Sequence, residues 1–194
     1  QRRSAELESF VAASQHAQAL GLQVAVEHMR RRKGRTAGVL LWQLNEPWPA
    51  ICWSVIDYYR RPKAAYRKLC AVYNPVLLSA LYPLRRYAGG DRLDLELWAI
   101  NDRLEGVAWA VAEAELDGTS ILRTEIDLPA NGSRCVASTR VELDHAPQQL
   151  ALRLTDAAGV VLSANEYDLT YVDSPGVHWR PYLINRMVEL LTRW

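Results

Sequence analysis

The hydrophobic period of the chain changes near Asn74, so that a helical segment reads into an all-β unit. Before the change, Leu7, Phe10, Val11, Ala17, Leu20 and Val24 recur at the spacing of one long helix. Ser4 stands where an N-cap belongs, and Glu6 and Glu8 lie toward the end where the macrodipole favours anions. Arg30-Arg31-Arg32-Lys33 puts cations at the opposite end, and Gly34 is suited to a left-handed cap. This basic run is read as a cap and a solvated face rather than a phosphate site, because no second basic patch extends it. Thr36 to Leu44 then reads as an apolar strand.

After the change, Leu93, Leu95 and Leu97 alternate with Asp94 and Glu96, and Val107, Trp109 and Val111 alternate likewise, as half-buried strands do. Asp117-Gly118, Asn131-Gly132 and Ala157-Ala158-Gly159 read as hairpin turns. Leu150, Leu152 and Leu154 precede the last of them, and Tyr167, Leu169 and Tyr171 follow it. Six or seven short strands with turns at regular spacing describe an immunoglobulin-like antiparallel β-sandwich. The boundary falls near Tyr73 to Pro75. Past Pro175-Gly176 and Pro181, the residues Leu183, Ile184, Met187, Leu190, Leu191 and Trp194 share one helical face. That amphipathic tail helix is expected to pack on its own molecule sooner than on another subunit.

Within the first segment, three of the seven tryptophans fall between Trp42 and Trp53. Flat apolar rings beside the amide of Asn45 are the chemistry that holds a sugar ring in a cleft, although tryptophans also cluster in cores. The order of residues goes further. Trp42-Gln43-Leu44-Asn45, Trp48-Pro49, Trp53-Ser54, Asp57-Tyr58-Tyr59 and Pro62-Lys63-Ala64 together resemble glycoside hydrolase family 2, in its β-mannosidase and exo-β-glucosaminidase branch. In that family the motif forms the eighth strand of the catalytic TIM barrel and the turn after it. Asn74-Pro75-Val76 resembles the exit from the barrel. Trp98-Ala99-Ile100-Asn101-Asp102 and the stretch Val160 to Tyr167, with its Ser-x-Asn-x-Tyr pattern, resemble strands of the domain that follows. The likeness spans roughly residues 5 to 172, and it is more specific in its first part than in its second.

The resemblance implies the last helix and strand of a (β/α)8 barrel over 1–73 and an immunoglobulin-like sandwich over 74–172; the tail over 173–194, with its amphipathic helix, departs from the family pattern, and the whole is an α+β chain. The helix-then-strand order of the first segment agrees with such a barrel end. It also implies a parent that is a retaining exo-β-glycosidase whose two catalytic glutamates both lie upstream of Gln1, so the isolated chain is expected to be inactive. Trp42 would floor the terminal-sugar subsite, with Asn45 and Trp48 shaping it. Asn45-Glu46-Pro47 mimics the acid/base motif of many barrel glycosidases. Three more barrel strands would then have to follow, however, and a sandwich follows instead. Glu46 is therefore read as a variant of a non-catalytic position, and Trp53, Asp57 and Tyr58 as braces. The competing class is a non-catalytic carbohydrate-binding or scaffold module. The barrel reading further expects residues 1–73 to be disordered, aggregation-prone or paired with a missing partner.

Composition narrows the rest. A chain of 194 residues, 49% hydrophobic and 23% charged, can bury one sizeable core or two small ones. A net charge of +1 offers no field for nucleic acid or an acidic membrane, and the partners that the family resemblance implies are a β-linked sugar such as a mannoside and the missing N-terminal domains. Cys52, Cys70 and Cys135 are odd in number and widely spaced, which supports buried thiols rather than disulfides or zinc. The four histidines lack ligand spacing, and no glycine-rich phosphate loop or nucleophile elbow occurs, so no cofactor or metal is implied. No run approaches the roughly 20 apolar residues of a membrane span, and the start at Gln1 looks cut from something longer. The compartment stays open, with the cytoplasm favoured.

Overall fold

The alternation after Asn74 becomes seven strands among the described residues, in a computed structural model that describes residues 2–147 and 149–170. These are β1 (Val76–Leu81), β2 (Arg92–Asn101), β3 (Val107–Leu116), β4 (Thr119–Leu128), β5 (Gly132–Glu142), β6 (Gln149–Thr155) and β7 (Val161–Asp168). They make two antiparallel sheets, ordered β1-β2-β5 and β4-β3-β6-β7. Leu93, Leu95 and Leu97 of one sheet meet Leu150, Leu152 and Leu154 of the other in a shared core. Burying each such side chain contributes about 2 kcal/mol, which is what holds the two sheets face to face. The expected β-sandwich is the fold that forms. The amphipathic helix expected over Leu183 to Trp194, like Tyr171, lies outside the described residues.

Three local readings are corrected. On β3 Val107 packs on the core as expected, but beyond it the inward residues are Ala110, Ala112 and Ala114, not Trp109 and Val111. Val107 pairs with Leu128 and Ala110 with Ile126, so three steps on β3 match two on β4. The extra residue is a bulge, and a one-residue slip exchanges the two faces of a strand. Trp109 takes up the bulge at φ 56, exposed, with its N–H donated to Asp127 Oδ1 at 2.9 Å. The Asp117-Gly118 turn does close a hairpin, with φ of 48 and 79 as a type I′ turn requires, and Gly159 at φ 79 helps to close another. Asn131-Gly132 does not, because β4 and β5 belong to different sheets. Asn131, at φ 47, turns the chain across the sandwich and donates its N–H to Arg103 O at 2.8 Å. A positive φ is all that Asn-Gly signals, and a crossover can use it as well as a hairpin. The cysteines, expected to be buried, are free thiols: Cys70 and Cys135 are exposed and Cys52 is half-buried.

Two helices precede the sandwich, α1 (Arg2–Arg31) and α2 (Ala64–Val72). α1 begins before Ser4, which is therefore inside the helix rather than its cap, and its first turn holds no acid. At the other end Arg32 and Lys33 donate N–H groups to Met29 O and Arg30 O at 3.1 and 3.2 Å, tightening the last turn. Gly34 is not left-handed, since this tightened turn does not need it. The apolar stripe of Leu7, Phe10 and Val11 is exposed. Burial falls on the second half, where Ala19 and Val26 join Val55, Ala65, Leu69 and Val72 in a second, smaller core.

No strand forms over Thr36 to Leu44. The segment nonetheless alternates, with Val39 and Leu41 packed on the second core and Leu40, Trp42 and Leu44 outward. Leu40 is 98% exposed. Extended backbone becomes a ladder only when another strand lies alongside, and among the described residues none does. No helix among the described residues is long and apolar enough to cross a membrane.

Candidate functional site

Trp42, near the end of this extended segment, and Asn45 and Trp48, on the loop that follows it, all lie exposed, the two rings at 77% and 66%. The loop is drawn together by Leu44 O, which accepts the N–H groups of Val55 and Ile56 at 3.2 and 2.9 Å. Asn45 and Ile56 form an isolated parallel bridge, and Ile56 bridges in turn to Pro62. The Trp42–Gln43 peptide is cis. Asp57 braces a turn by accepting the Arg61 N–H at 2.8 Å, as expected of it. Tyr58 meets Tyr59 edge-on at 5.2 Å. Trp53, expected to pack, is instead an exposed ring, because burial in its run falls on Ser54 and Val55. Its contribution is its carbonyl, which accepts Gln18 Nε2 of α1 at 2.5 Å.

Glu46 points the other way from its neighbours and is only 6% exposed. Its Oε1 accepts Lys63 Nζ at 2.6 Å and the hydroxyl of the fully buried Ser54 at 2.5 Å. Lys63 also donates to Cys52 O and to Ser54 Oγ, each at 3.1 Å. The Lys63 ammonium first, and the Ser54 hydroxyl second, hold the Glu46 carboxyl below its ordinary 4.5. A glycosidase acid/base requires the opposite shift. Neither Lys63 nor Ser54 was assigned a role from sequence. Both stood in the quoted motif, but their convergence on Glu46 depends on the loop closing.

A second polar centre joins α1 to the sandwich, and sequence reasoning missed it. Glu27 of α1 is buried among Asn165 Nδ2 (2.8 Å), Ser79 Oγ (2.7 Å), the Tyr167 hydroxyl (2.9 Å) and Arg31 Nη1 (3.4 Å). Gln23 donates to Asn165 Oδ1 and to Glu166 O, both at 3.1 Å. Burial raises the Tyr167 hydroxyl well above its usual pKa, with the Glu27 charge adding to the effect. The same motif closes a sheet edge: Leu78 N–H donates to Ser163 Oγ at 3.0 Å and Ala80 N–H to the Tyr167 hydroxyl at 2.8 Å. Edge strand β1 thus has its outward amides satisfied by side chains. The basic run, read as solvated, is part of this junction. Arg30 and Lys33 pair with Asp102 at 2.8 and 2.5 Å, and Ser133 donates to Arg31 O at 3.0 Å. Among the described residues no group of three or more His, Cys, Asp or Glu is arranged to hold a metal.

The fold of this chain is found in solved glycosidases. The β-D-mannosidase of Dictyoglomus thermophilum matches it with a TM-score of 0.63 at 26% identity, over 80% of this chain and 19% of that one. The exo-chitosanase of Amycolatopsis orientalis matches the fold at TM-score 0.63 and 22% identity, over 79% of this chain and 18% of that one. In sequence, the chain is 28% identical over 172 residues to Beta-mannosidase B of Aspergillus niger, covering 79% of this chain and 20% of that protein. A 78-residue stretch, 39% of the chain and 9% of the relative, is 38% identical to Beta-mannosidase B of Aspergillus clavatus. The chain resembles glycoside hydrolase family 2 in its β-mannosidase branch, in sequence and in fold. It spans about a fifth of the length of Beta-mannosidase B of Aspergillus niger. No protein-family model matches it.

Proposed function

We propose that this chain is the C-terminal part of a retaining, β-mannosidase-like exo-β-glycosidase, with 1–73 completing a TIM barrel and 74–172 forming the sandwich that follows. The observation that carries the reading is the extended segment from Val39 to Leu44, which alternates like a strand and has no strand alongside it among the described residues. Its outward row of Leu40, Trp42 and Leu44 leaves apolar surface that a preceding and a following strand would cover. Trp42, in the middle of that row, floors the sugar subsite, with Asn45 and Trp48 on its rim. In such an enzyme one carboxyl protonates the glycosidic oxygen while a second, about 5 Å away, forms the glycosyl-enzyme intermediate that water then hydrolyses. Both carboxyls are assigned to the missing part of the barrel. Glu46 is unsuited to either role, because it is buried and already engaged by Lys63 and Ser54. The isolated chain is accordingly inactive.

The test is release of nitrophenol from a panel of aryl β-glycosides, the β-mannoside included, by the longest native chain that contains this segment. Hydrolysis by that chain and silence from residues 1–194 alone is the expected result. Silence from both, with well-folded protein, rejects the glycosidase and leaves a non-catalytic module. Sugar-dependent quenching of tryptophan fluorescence in the isolated chain would also favour that module.

A further inference from the structure

We infer that Glu46 is a positioning residue: pinned by Lys63 and Ser54, it fixes the loop that presents Trp42, Asn45 and Trp48. The inference rests on the subsite reading above and gives Glu46 a role within it. Asn45 and Pro47 on either side are exposed, so the Glu46 side chain is the point at which this loop turns inward. Its two partners come from separate places in the chain. Ser54 is eight residues on and Lys63 seventeen, at the N-cap of α2. Ser54 is itself anchored to the first helix, since Gln18 Nε2 lies 2.5 Å from Trp53 O and 3.4 Å from Ser54 O. One carboxylate oxygen therefore ties the aromatic loop to both helices. The pair is sheltered, with side chains only 3% and 14% exposed, so salt screens it little.

The physical consequence is preorganisation. A loop whose rings stand exposed makes few contacts of its own, and ordering it when sugar arrives would cost backbone and rotamer entropy. Holding Glu46 meets part of that cost in advance. Its removal should weaken sugar binding while leaving the chemical step nearly intact, the reverse of losing an acid/base.

The test is a double-mutant cycle of Glu46→Gln, Lys63→Gln and both together, made in the longest native chain that contains this segment. Amide exchange at Val55 and Ile56, which both donate to Leu44 O, reports loop closure. Each single variant should speed that exchange about tenfold, leave the core amides of Leu95 and Leu152 unchanged, and raise KM about fivefold with kcat within about threefold. The double variant should be no worse than either single, as for two halves of one interaction. Unchanged exchange at Val55 and Ile56, or additive effects, overturns the inference. So does a kcat loss of about a hundredfold or more at constant KM, which marks proton transfer. If Glu46→Gln does not fold, Glu46→Asp, which keeps the charge but shortens its reach, serves the same comparison. Should the wild-type chain hydrolyse no glycoside, the proposed function fails, and the exchange arm alone decides whether Glu46 positions the loop.

Discussion

Tyr167 carries more bonds than any hydroxyl around it, accepting from Ala80 N–H and Asn165 Nδ2 and donating to Glu27. Tyr167→Phe leaves the buried Ala80 N–H without an acceptor, while Asn165 Nδ2 keeps Glu27 Oε1 at 2.8 Å, and takes a donor from Glu27; it should cost about 2 kcal/mol, read as a lower urea midpoint at unchanged slope. Trp109 presents the opposite case, a bulky residue at φ 56 with its ring in solvent. Trp109→Asn should stabilise by about 0.5 kcal/mol, because asparagine tolerates left-handed backbone and little burial is lost. Glu46 makes stability depend on acid. Its folded pKa is depressed, so its contribution is complete above 4.5 and is lost as pH falls below that value. Glu46→Gln should flatten the acid limb of a stability-versus-pH curve, and an unchanged limb would show that the ion pair does not act. At this scale the sequence was legible in types and opaque in partners. Ser163, Asn165 and Tyr167 were visible as a pattern, but Glu27 stands 140 residues from Tyr167 and nothing local points to it.

Among the elements, the leucine-bearing strands were legible because period 2 is enforced by burial of one face. β3 was not, since its bulge exchanges faces and its inward residues are alanines, which carry little hydrophobic signal. The Asp117-Gly118 turn was readable for a stereochemical reason, since both residues must take positive φ. Gly118 has open space around the position of a Cβ, so Gly118→Ala tests backbone strain alone and should cost about 1 kcal/mol in a thermal or urea melt. For α1, the apolar repeat placed the helix correctly, but of its stripe only Leu20 is buried. The buried side carries Gln23, Glu27 and Arg30, and polar residues advertise burial only when their partners are known.

For the whole molecule, the two cores differ in self-sufficiency. The sandwich core draws on both sheets, whereas the helical core has six buried residues, three of them in α2 and two in α1. Residues 74–170 alone should therefore fold cooperatively, though less stably than with α1, while 1–73 alone should show no cooperative melt. A sharp transition from 1–73 by itself would contradict the unpartnered character of Val39 to Leu44. The junction between the two also sets an order of events during synthesis. Glu27 leaves the ribosome long before Tyr167 exists, since 140 residues separate them. Everything upstream must wait, its buried carboxylate solvated and its helix unlatched, until β7 emerges to supply the amide and the hydroxyl. The closing strand of the sandwich thus acts as a timer on the maturation of the helical segment, and a chain stalled before Asn165 would hold a complete sequence for that segment and no finished seat for it.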